Sequence, residues 1–239
     1  MIVRLGFVAT HRFGFTPWCR KMLQEGLSAL GQVAGAEIVA PTPSPDEGEK
    51  AVDPQRGTIP FGSVNTLEQA EALAAYFAGQ GLDGLVLCPL DFGQERPAAK
   101  VAERLGLPVL LYATKEPPAD EGPSLARVSD SYCGNLALAA ALHRRGVRFH
   151  FAGVFLPGDG ALRAAAEEFV SAVSVGKALA GARIGQVGQR PPAFESVAYD
   201  EIAMARKFGQ NVIHAAFSDV LSAADAIPAD SPALAEAIA

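Results

Sequence analysis

The sequence has 239 residues and a mass of 24.9 kDa, which is enough for one large domain or two of modest size. Hydrophobic residues make up 49% and charged residues 19%, so the chain can bury a sizeable core and global disorder is excluded. The formal net charge of −6 argues against a general nucleic-acid binder, because no basic surface is encoded.

Short β-branched runs alternate with longer helical patterns through the first part of the chain. They predict, in chain order, a strand over 3–9, a helix over 18–30, a strand over 37–40, a helix over 66–79, a strand over 84–88, a helix over 96–105, a strand over 108–112, a helix over 134–145 and a strand over 149–155. Five strands alternating with helices indicate an α/β fold with a doubly wound parallel sheet, Rossmann-like or flavodoxin-like. In such folds the functional loops follow the carboxyl ends of the strands.

Two long connections interrupt this alternation. Residues 41–65 contain five prolines and are predicted to be largely loop, and residues 113–131 carry Pro117-Pro118 in their middle. Connections of this length are usually functional or mobile. Both follow predicted strands, so we expect both to lie over the edge of the sheet where a ligand would bind.

A second series begins after Pro157-Gly158. It predicts a helix over 162–179, a strand over 183–187, a helix over 197–208, a strand over 211–214 and a helix over 219–226. We therefore divide the chain into a first α/β domain, residues 1–157, and the beginning of a second, residues 158–239. Two strands seldom make a stable domain alone, so they either join a neighbouring sheet or belong to an incomplete domain, which we favour.

The cysteines and the apolar runs indicate the cellular compartment in which we expect the protein. The three cysteines are odd in number and far apart, which disfavours a disulfide framework or a paired-cysteine zinc site. No apolar run reaches the roughly 18–20 residues of a membrane span, and the amino terminus enters a strand pattern at once rather than a signal peptide. We expect a cytoplasmic protein without nucleic-acid or membrane partners.

The common sequence motifs of nucleotide-binding, metal-binding and nucleophilic sites are missing. The segment 185–190 follows a strand but lacks the third glycine of a dinucleotide fingerprint and the lysine of a phosphate loop. The four histidines do not show metal-ligand spacing. Cys133 as a nucleophile would need a neighbouring base, and the sequence indicates none.

The loop after the first strand concentrates donors, a cation and aromatic rings. His11, Arg12 and Trp18 lie in or beside it, a mixture that suits a polyol, whose hydroxyls bind planar polar groups and whose C–H face packs on rings. The alternative is that the aromatic side chains fasten the following helix to the sheet.

Three further segments place polar side chains after strands or at helix starts. Asp91 and Gln94 follow the strand over 84–88 and either face a ligand or start the next helix. Asn135 lies in a small polar stretch that opens the helix over 134–145, where backbone N–H groups can meet a ligand. Arg190, Glu195 and Tyr199 flank the stiff turn at Pro191-Pro192, which favours function over a purely structural loop.

At these residues the chain resembles the amino-terminal part of the L-fucose/L-arabinose isomerase superfamily, in its fucose-isomerase-like branch. The likeness covers essentially the whole chain and rests on the order and spacing of several segments rather than on one motif. These segments are Leu5-Gly6-Phe7-Val8, residues 106–113 with Glu116-Pro117-Pro118, residues 131–136, residues 182–194, Tyr199-Asp200-Glu201 and Lys207-Phe208-Gly209.

The resemblance implies two Rossmann-like domains followed by a carboxyl-terminal domain. It also implies Mn²⁺-dependent aldose–ketose interconversion in a homo-oligomer whose sites are shared between subunits. The family's metal-binding carboxylates and histidine lie beyond residue 239, so no metal ligand and no catalytic acid or base is assigned here, and the chain alone is expected to be inactive. A substrate-facing role is carried over to eight residues: His11, Arg12, Trp18, Gln94, Asn135, Arg190, Glu195 and Tyr199.

Two other functions stay open. Two α/β lobes around a cleft also suit a stand-alone, non-catalytic module that binds a sugar or another small polar ligand. An unrelated racemase with Cys88 and Cys133 as its two-cysteine pair is the third possibility.

Overall fold

A computed structural model describes residues 1–12, 16–43, 58–116 and 129–238. The strands are β1 (Val3–Thr10), β2 (Ala36–Val39), β3 (Thr42–Pro43), β4 (Thr58–Ile59), β5 (Gly84–Pro89), β6 (Val109–Thr114), β7 (Phe149–Phe155), β8 (Arg183–Val187) and β9 (Asn211–Ala215). The helices are α1 (Thr16–Gly31), α2 (Leu67–Ala78), α3 (Glu95–Leu105), α4 (Ser131–Arg144), α5 (Ala161–Leu179), α6 (Glu201–Phe208), α7 (Phe217–Asp225) and α8 (Pro232–Ile238).

The first part of the chain forms a five-stranded parallel sheet in the order β2-β1-β5-β6-β7. Strands β5 and β6 are buried along their whole length, as expected for continuous apolar strands covered on both faces. Two separate apolar clusters lie on the two faces of the sheet: α1 and α5 pack on one, and α2, α3 and α4 on the other. This confirms the predicted doubly wound fold, in the flavodoxin-like strand order.

Local sequence explains several helix ends. Thr66 accepts a hydrogen bond from the backbone N–H of Gln69, whose side chain returns to the backbone N–H of Thr66, so α2 begins with a capping box. Gly106 ends α3 in the left-handed conformation at φ 63°. Helix α4 begins at Ser131, three residues before the predicted start.

The proline-rich connection contains a short pairing that the sequence did not predict. Within residues 41–65, β3 pairs with β4 in parallel, and a 3-10 turn at Pro60–Gly62 follows. The rest of that connection, 44–57, lies outside the described residues, as do 117–128 of the second long connection.

The chain divides into two compact units, Met1–Ser174 and Val175–Ala239. The division falls inside α5, later than the predicted boundary at 157 and 158. The reason is that the first part of α5 buries Leu162, Ala166 and Phe169 in the core of the first unit.

The second unit has its own small sheet, in which β8 and β9 run parallel over five residue pairs. The predicted helix over 197–208 is instead a 3-10 turn at Glu195–Val197 followed by α6, because Asp200 caps α6 by accepting from the backbone N–H of Ala203 at 2.9 Å. Helix α8 was not predicted. None of the helices in the described part of the chain is long and apolar enough to span a bilayer.

Candidate functional site

The carboxyl edge of the five-stranded sheet brings together segments that are far apart in the sequence. The backbone N–H of Leu90 donates to the carbonyl of Thr10 at 2.9 Å, and that of Val64 donates to the carbonyl of Ala9 at 2.8 Å. The residues that follow β1 and β5, and those that precede α2, are therefore neighbours. We take this edge as the candidate site because α/β proteins of this class bind ligands there.

Asp91 forms hydrogen bonds with two loops at this edge. The residue is 2% exposed, and its two carboxylate oxygens accept from the backbone N–H of Arg12 at 3.0 and 2.9 Å. One of them also accepts from the backbone N–H of Gly93 at 2.7 Å. The sequence suggested that Asp91 either faces a ligand or caps α3. In the structure its carboxylate does neither, and it links the loop after β1 to the loop after β5.

His11 lies beside this carboxylate and is fully buried. Its Nε2 is 3.8 Å from Asp91 Oδ2, and its ring stacks on Phe61 with 4.3 Å between centroids. Burial lowers the pKa of His11; the Asp91 carboxylate opposes this shift and Arg20 adds to it. The imidazole is neutral at pH 7 and, in this conformation, does not face solvent.

Phe61 is a residue that the sequence analysis missed. Its backbone has φ 58°, a left-handed conformation that is uncommon for a bulky residue. Its buried ring lies between His11 and Arg20, whose guanidinium is 4.8 Å from the ring centroid. Strained backbone of this kind tends to occur at functional sites, and the proline-rich composition of 41–65 was the only available indication.

Arg12, Trp18 and Gln94 offer accessible side chains near this edge. Arg12 is exposed, with its guanidinium 4.4 Å from the centroid of the Phe92 ring. Trp18 is half-buried and lines a small cleft of about 160 Å³. Gln94 is half-buried at the N-cap of α3, and its main chain forms two hydrogen bonds with the Thr10 hydroxyl.

The first turn of helix α4 packs unusually close to the loop after β5, at the same edge. The hydroxyl of Ser131 donates to the carbonyl of Pro89 and accepts from the backbone N–H of Thr114 at 2.8 Å. A Cβ on Gly134 would lie 2.3 Å from the carbonyl oxygen of Phe92, so only glycine permits this approach. Asn135, the next residue, is 3% exposed, and its Oδ1 has no hydrogen-bond partner among the described residues.

The structure thus brings five of the predicted site residues to one edge of the first unit. Arg12 is exposed there, Trp18 and Gln94 are half-buried, and His11 and Asn135 are buried. Their part in substrate binding stays a prediction.

The other three predicted residues follow β8 in the second unit. Arg190 Nη1 donates to the carbonyl of Phe194 at 2.8 Å, and the Tyr199 hydroxyl contacts the side chain of Gln186. Glu195 is exposed at the start of a 3-10 turn. The side chains of Arg190 and Tyr199 therefore form contacts within this segment, which is the purely structural role that the sequence offered as an alternative. The part of all three residues in ligand binding stays a prediction.

Two of the three cysteine thiols, those of Cys19 and Cys88, are buried. Cys88 is fully buried, and burial raises its pKa to about 12, with a hydrogen bond to Tyr112 acting in the opposite direction. Burial likewise raises the pKa of Cys19. Because Cys88 is inaccessible and protonated, the pair of Cys88 and Cys133 does not supply the two reactive thiols of a racemase.

One group of potential metal ligands occurs in the described part of the chain. His11, Cys19 and Asp91 each offer a ligand atom, and these atoms lie within 4.8 Å of one another. A thiol does not suit Mn²⁺, which prefers carboxylate, carbonyl and water oxygens. The described residues therefore do not fit the Mn²⁺ that the resemblance implies.

A second, larger cavity of about 800 Å³ opens at the opposite edge of the sheet, near the amino ends of β6 and β7. Arg145, Arg148 and Glu168 are among its lining residues. None of the predicted site residues lines it, so we do not assign it to the candidate site.

Comparisons with known proteins identify the family. The model of the family described as "Fucose/sulfoquinovose isomerase, N-terminal domain" matches residues 31–180, which is more than half of the chain. No curated protein matches. Among 21 chains of solved structures that match is an azoreductase from Bacillus anthracis str. Sterne, 14% identical, with 73% of this chain and 100% of that chain covered and a TM-score of 0.33. A likeness at that score bears on neither fold nor function.

Proposed function

Because this chain belongs to the family of fucose/sulfoquinovose isomerase N-terminal domains, we propose that it is the amino-terminal part of a metal-dependent aldose–ketose isomerase. In that enzyme it contributes residues to the substrate cleft and contacts between subunits. The observation that carries the proposal is the family match over residues 31–180. It agrees with the resemblance found in the sequence.

The chain's own contribution is to bind and orient the sugar. Arg12 and Gln94 offer donors for hydroxyl groups, and Trp18 offers an aromatic face for C–H surface, all near the carboxyl edge of the sheet. Arg12 is held at this edge at both ends: its backbone N–H binds Asp91 and its guanidinium lies over Phe92. An orientation fixed in this way reduces the entropy that substrate binding costs.

The proton transfers of the reaction are assigned to groups outside this chain. An aldose–ketose isomerisation needs a base and an acid that reach adjacent carbons of the sugar. Asp91, the buried carboxylate of the edge, already accepts three backbone hydrogen bonds and is 2% exposed, so it does not serve as that base. As the resemblance implies, we expect the chain alone to be inactive.

Mn²⁺ stays part of the proposal, with its ligands outside this chain. The described residues do not fit that ion, so no step of the reaction is derived through it here. A homo-oligomer with sites shared between subunits is part of the proposal through the family resemblance alone. A cytoplasmic location is supported by the three cysteines, none of which forms a disulfide.

The role of Arg12 tests the proposed cleft. We would purify the protein from its native cells and follow conversion of fucose and sulfoquinovose to their ketoses with the wild type and Arg12→Ala. We expect the variant to raise KM for the sugar about tenfold or more, because a charged donor to a hydroxyl is lost.

Arg104→Ala is the matched control. Arg104 is an exposed arginine on α3 whose carboxylate partner, Glu71, is also exposed, so this variant should retain the wild-type kinetic constants. Equal constants for Arg12→Ala and the wild type would contradict the assigned cleft. Sugar binding without turnover, in the presence of Mn²⁺, would favour the non-catalytic binding module.

A further inference from the structure

Three side chains with metal-binding atoms converge beneath the carboxyl edge of the sheet. His11 directly follows β1, Cys19 lies in the first turns of α1, and Asp91 follows β5. His11 and Cys19 are fully buried and Asp91 is 2% exposed. Their ligand atoms lie within 4.8 Å of one another, and the imidazole Nε2 is 3.8 Å from the carboxylate.

The chemistry of this set selects among metals. It offers one nitrogen, one sulfur and one oxygen, which is a donor set that Zn²⁺ accepts and that hard ions such as Mn²⁺ and Mg²⁺ do not favour. Zinc–ligand bonds of about 2.0–2.3 Å place neighbouring donor atoms of a tetrahedral site roughly 3.5 Å apart. The observed spacing therefore exceeds that of a tetrahedral zinc site by little more than about 1 Å.

Each donor is already held by its neighbours. The imidazole is stacked on Phe61, the carboxylate accepts backbone hydrogen bonds from Arg12 and Gly93, and the Cys19 thiol lies 3.5 Å from the carbonyl of Leu90. Partners of this kind orient metal ligands in known sites. A thiolate and a carboxylate together also balance the two charges of the ion.

We propose that His11, Cys19 and Asp91 supply three of the four ligands of one tetrahedral Zn²⁺ ion, which fastens the start of α1 to the loops that follow β1 and β5. On binding, the S–H bond of Cys19 breaks, its proton passes to the buffer and a Zn–S bond forms, with no change of oxidation state. The site is separate from the Mn²⁺ of the proposed function and does not depend on it. The three residues come from three distant elements, so they leave no metal-ligand spacing in the sequence.

The first test is the zinc content of the full 239-residue chain, purified without a chelator or a polyhistidine tag after growth with added zinc. Plasma mass spectrometry should find about one zinc per chain in the wild type. Cys19→Ser and Asp91→Asn, which preserve size, should reduce this at least fivefold. Cys133→Ser is the matched control, since it removes a cysteine outside the cluster, and should retain the wild-type content.

Cobalt provides a second measurement that needs no folded variant. The metal-free wild type should develop the near-ultraviolet absorption of a Co²⁺–thiolate bond, and Cys133→Ser should do the same. Zinc well below 0.1 per chain together with no such band would overturn the proposal, and so would Cys19→Ser with undiminished zinc. Both measurements are independent of isomerase activity, so failure here leaves the proposed function standing.

Discussion

Replacing Gly134 by alanine tests how closely α4 is held against the candidate site. A Cβ at this position would lie 2.3 Å from the carbonyl oxygen of Phe92 and 2.6 Å from that of Asp91. Ordinary contacts of a Cβ begin near 3.4 Å, so the helix and the loop after β5 must separate by roughly 1 Å. Both contacts are with backbone, which cannot rotate aside.

The expected cost follows from two opposing terms. Overpacking of this kind typically costs 1–3 kcal/mol, and the upper value of about 3 applies because backbone must move. Alanine recovers about 1 kcal/mol of helix propensity over glycine. The net loss in the free energy of unfolding is therefore about 2 kcal/mol, which lowers the urea midpoint by about 1 M at a slope of about 2 kcal/mol per molar.

The assay is urea unfolding followed by the fluorescence of Trp18, the only tryptophan, which packs against the core of the first unit. Gly31→Ala is the matched control: Gly31 is also helical and in the same unit, and a Cβ there meets nothing within 4 Å. The control should be neutral or slightly stabilised. A Gly134→Ala midpoint equal to or above that of the wild type would refute the close packing described for α4.

Two further perturbations address the same edge and its thiol. Ser131→Ala leaves the buried N–H of Thr114 without its acceptor, so urea unfolding should show a loss of about 1–3 kcal/mol, whereas the exposed Ser171→Ala should change little; equal losses would contradict the buried hydrogen bond. Burial raises the pKa of Cys88 from 9.0 to about 12, so below pH 9 the thiol is neutral in both states, and between pH 9 and 12 it ionises first in the unfolded chain. Cys88 should therefore lower the free energy of unfolding by on the order of 1 kcal/mol per pH unit above pH 9, in addition to the effect of Cys19 in the same direction. Cys88→Ala should reduce this slope in unfolding experiments at pH 8 to 10.5 and Cys133→Ser should not; an unchanged slope in Cys88→Ala would contradict the assignment.

The fold could be predicted from the sequence because its determinants are local. The continuous apolar runs at β5 and β6 and the glycine after α3 at residue 106 are visible in sequence windows of a few residues. The β3–β4 pairing was missed because two-residue strands leave no periodicity. The start of α4 was misplaced because Gly134 looks like a helix boundary, whereas it is required by the close approach to Phe92.

The candidate site was only partly predictable. Position after a strand predicted that His11, Arg12 and Gln94 lie near one another, because the carboxyl ends of parallel strands share one edge. The burial of His11, and the use of Asp91 to tie two loops together, depend on partners about 80 residues away in the chain. Such contacts leave no local pattern, and neither does a ligand set that is assembled from three elements.

The isomerase assignment is tested most directly by running the reaction in D₂O with protein purified from its native cells, with and without Mn²⁺. Proton transfer through an enediol predicts that ketose forms and that solvent deuterium appears at the carbon that gains the proton. No ketose from fucose or sulfoquinovose under either condition would contradict the assignment, and ketose formed without deuterium would contradict the proton-transfer mechanism.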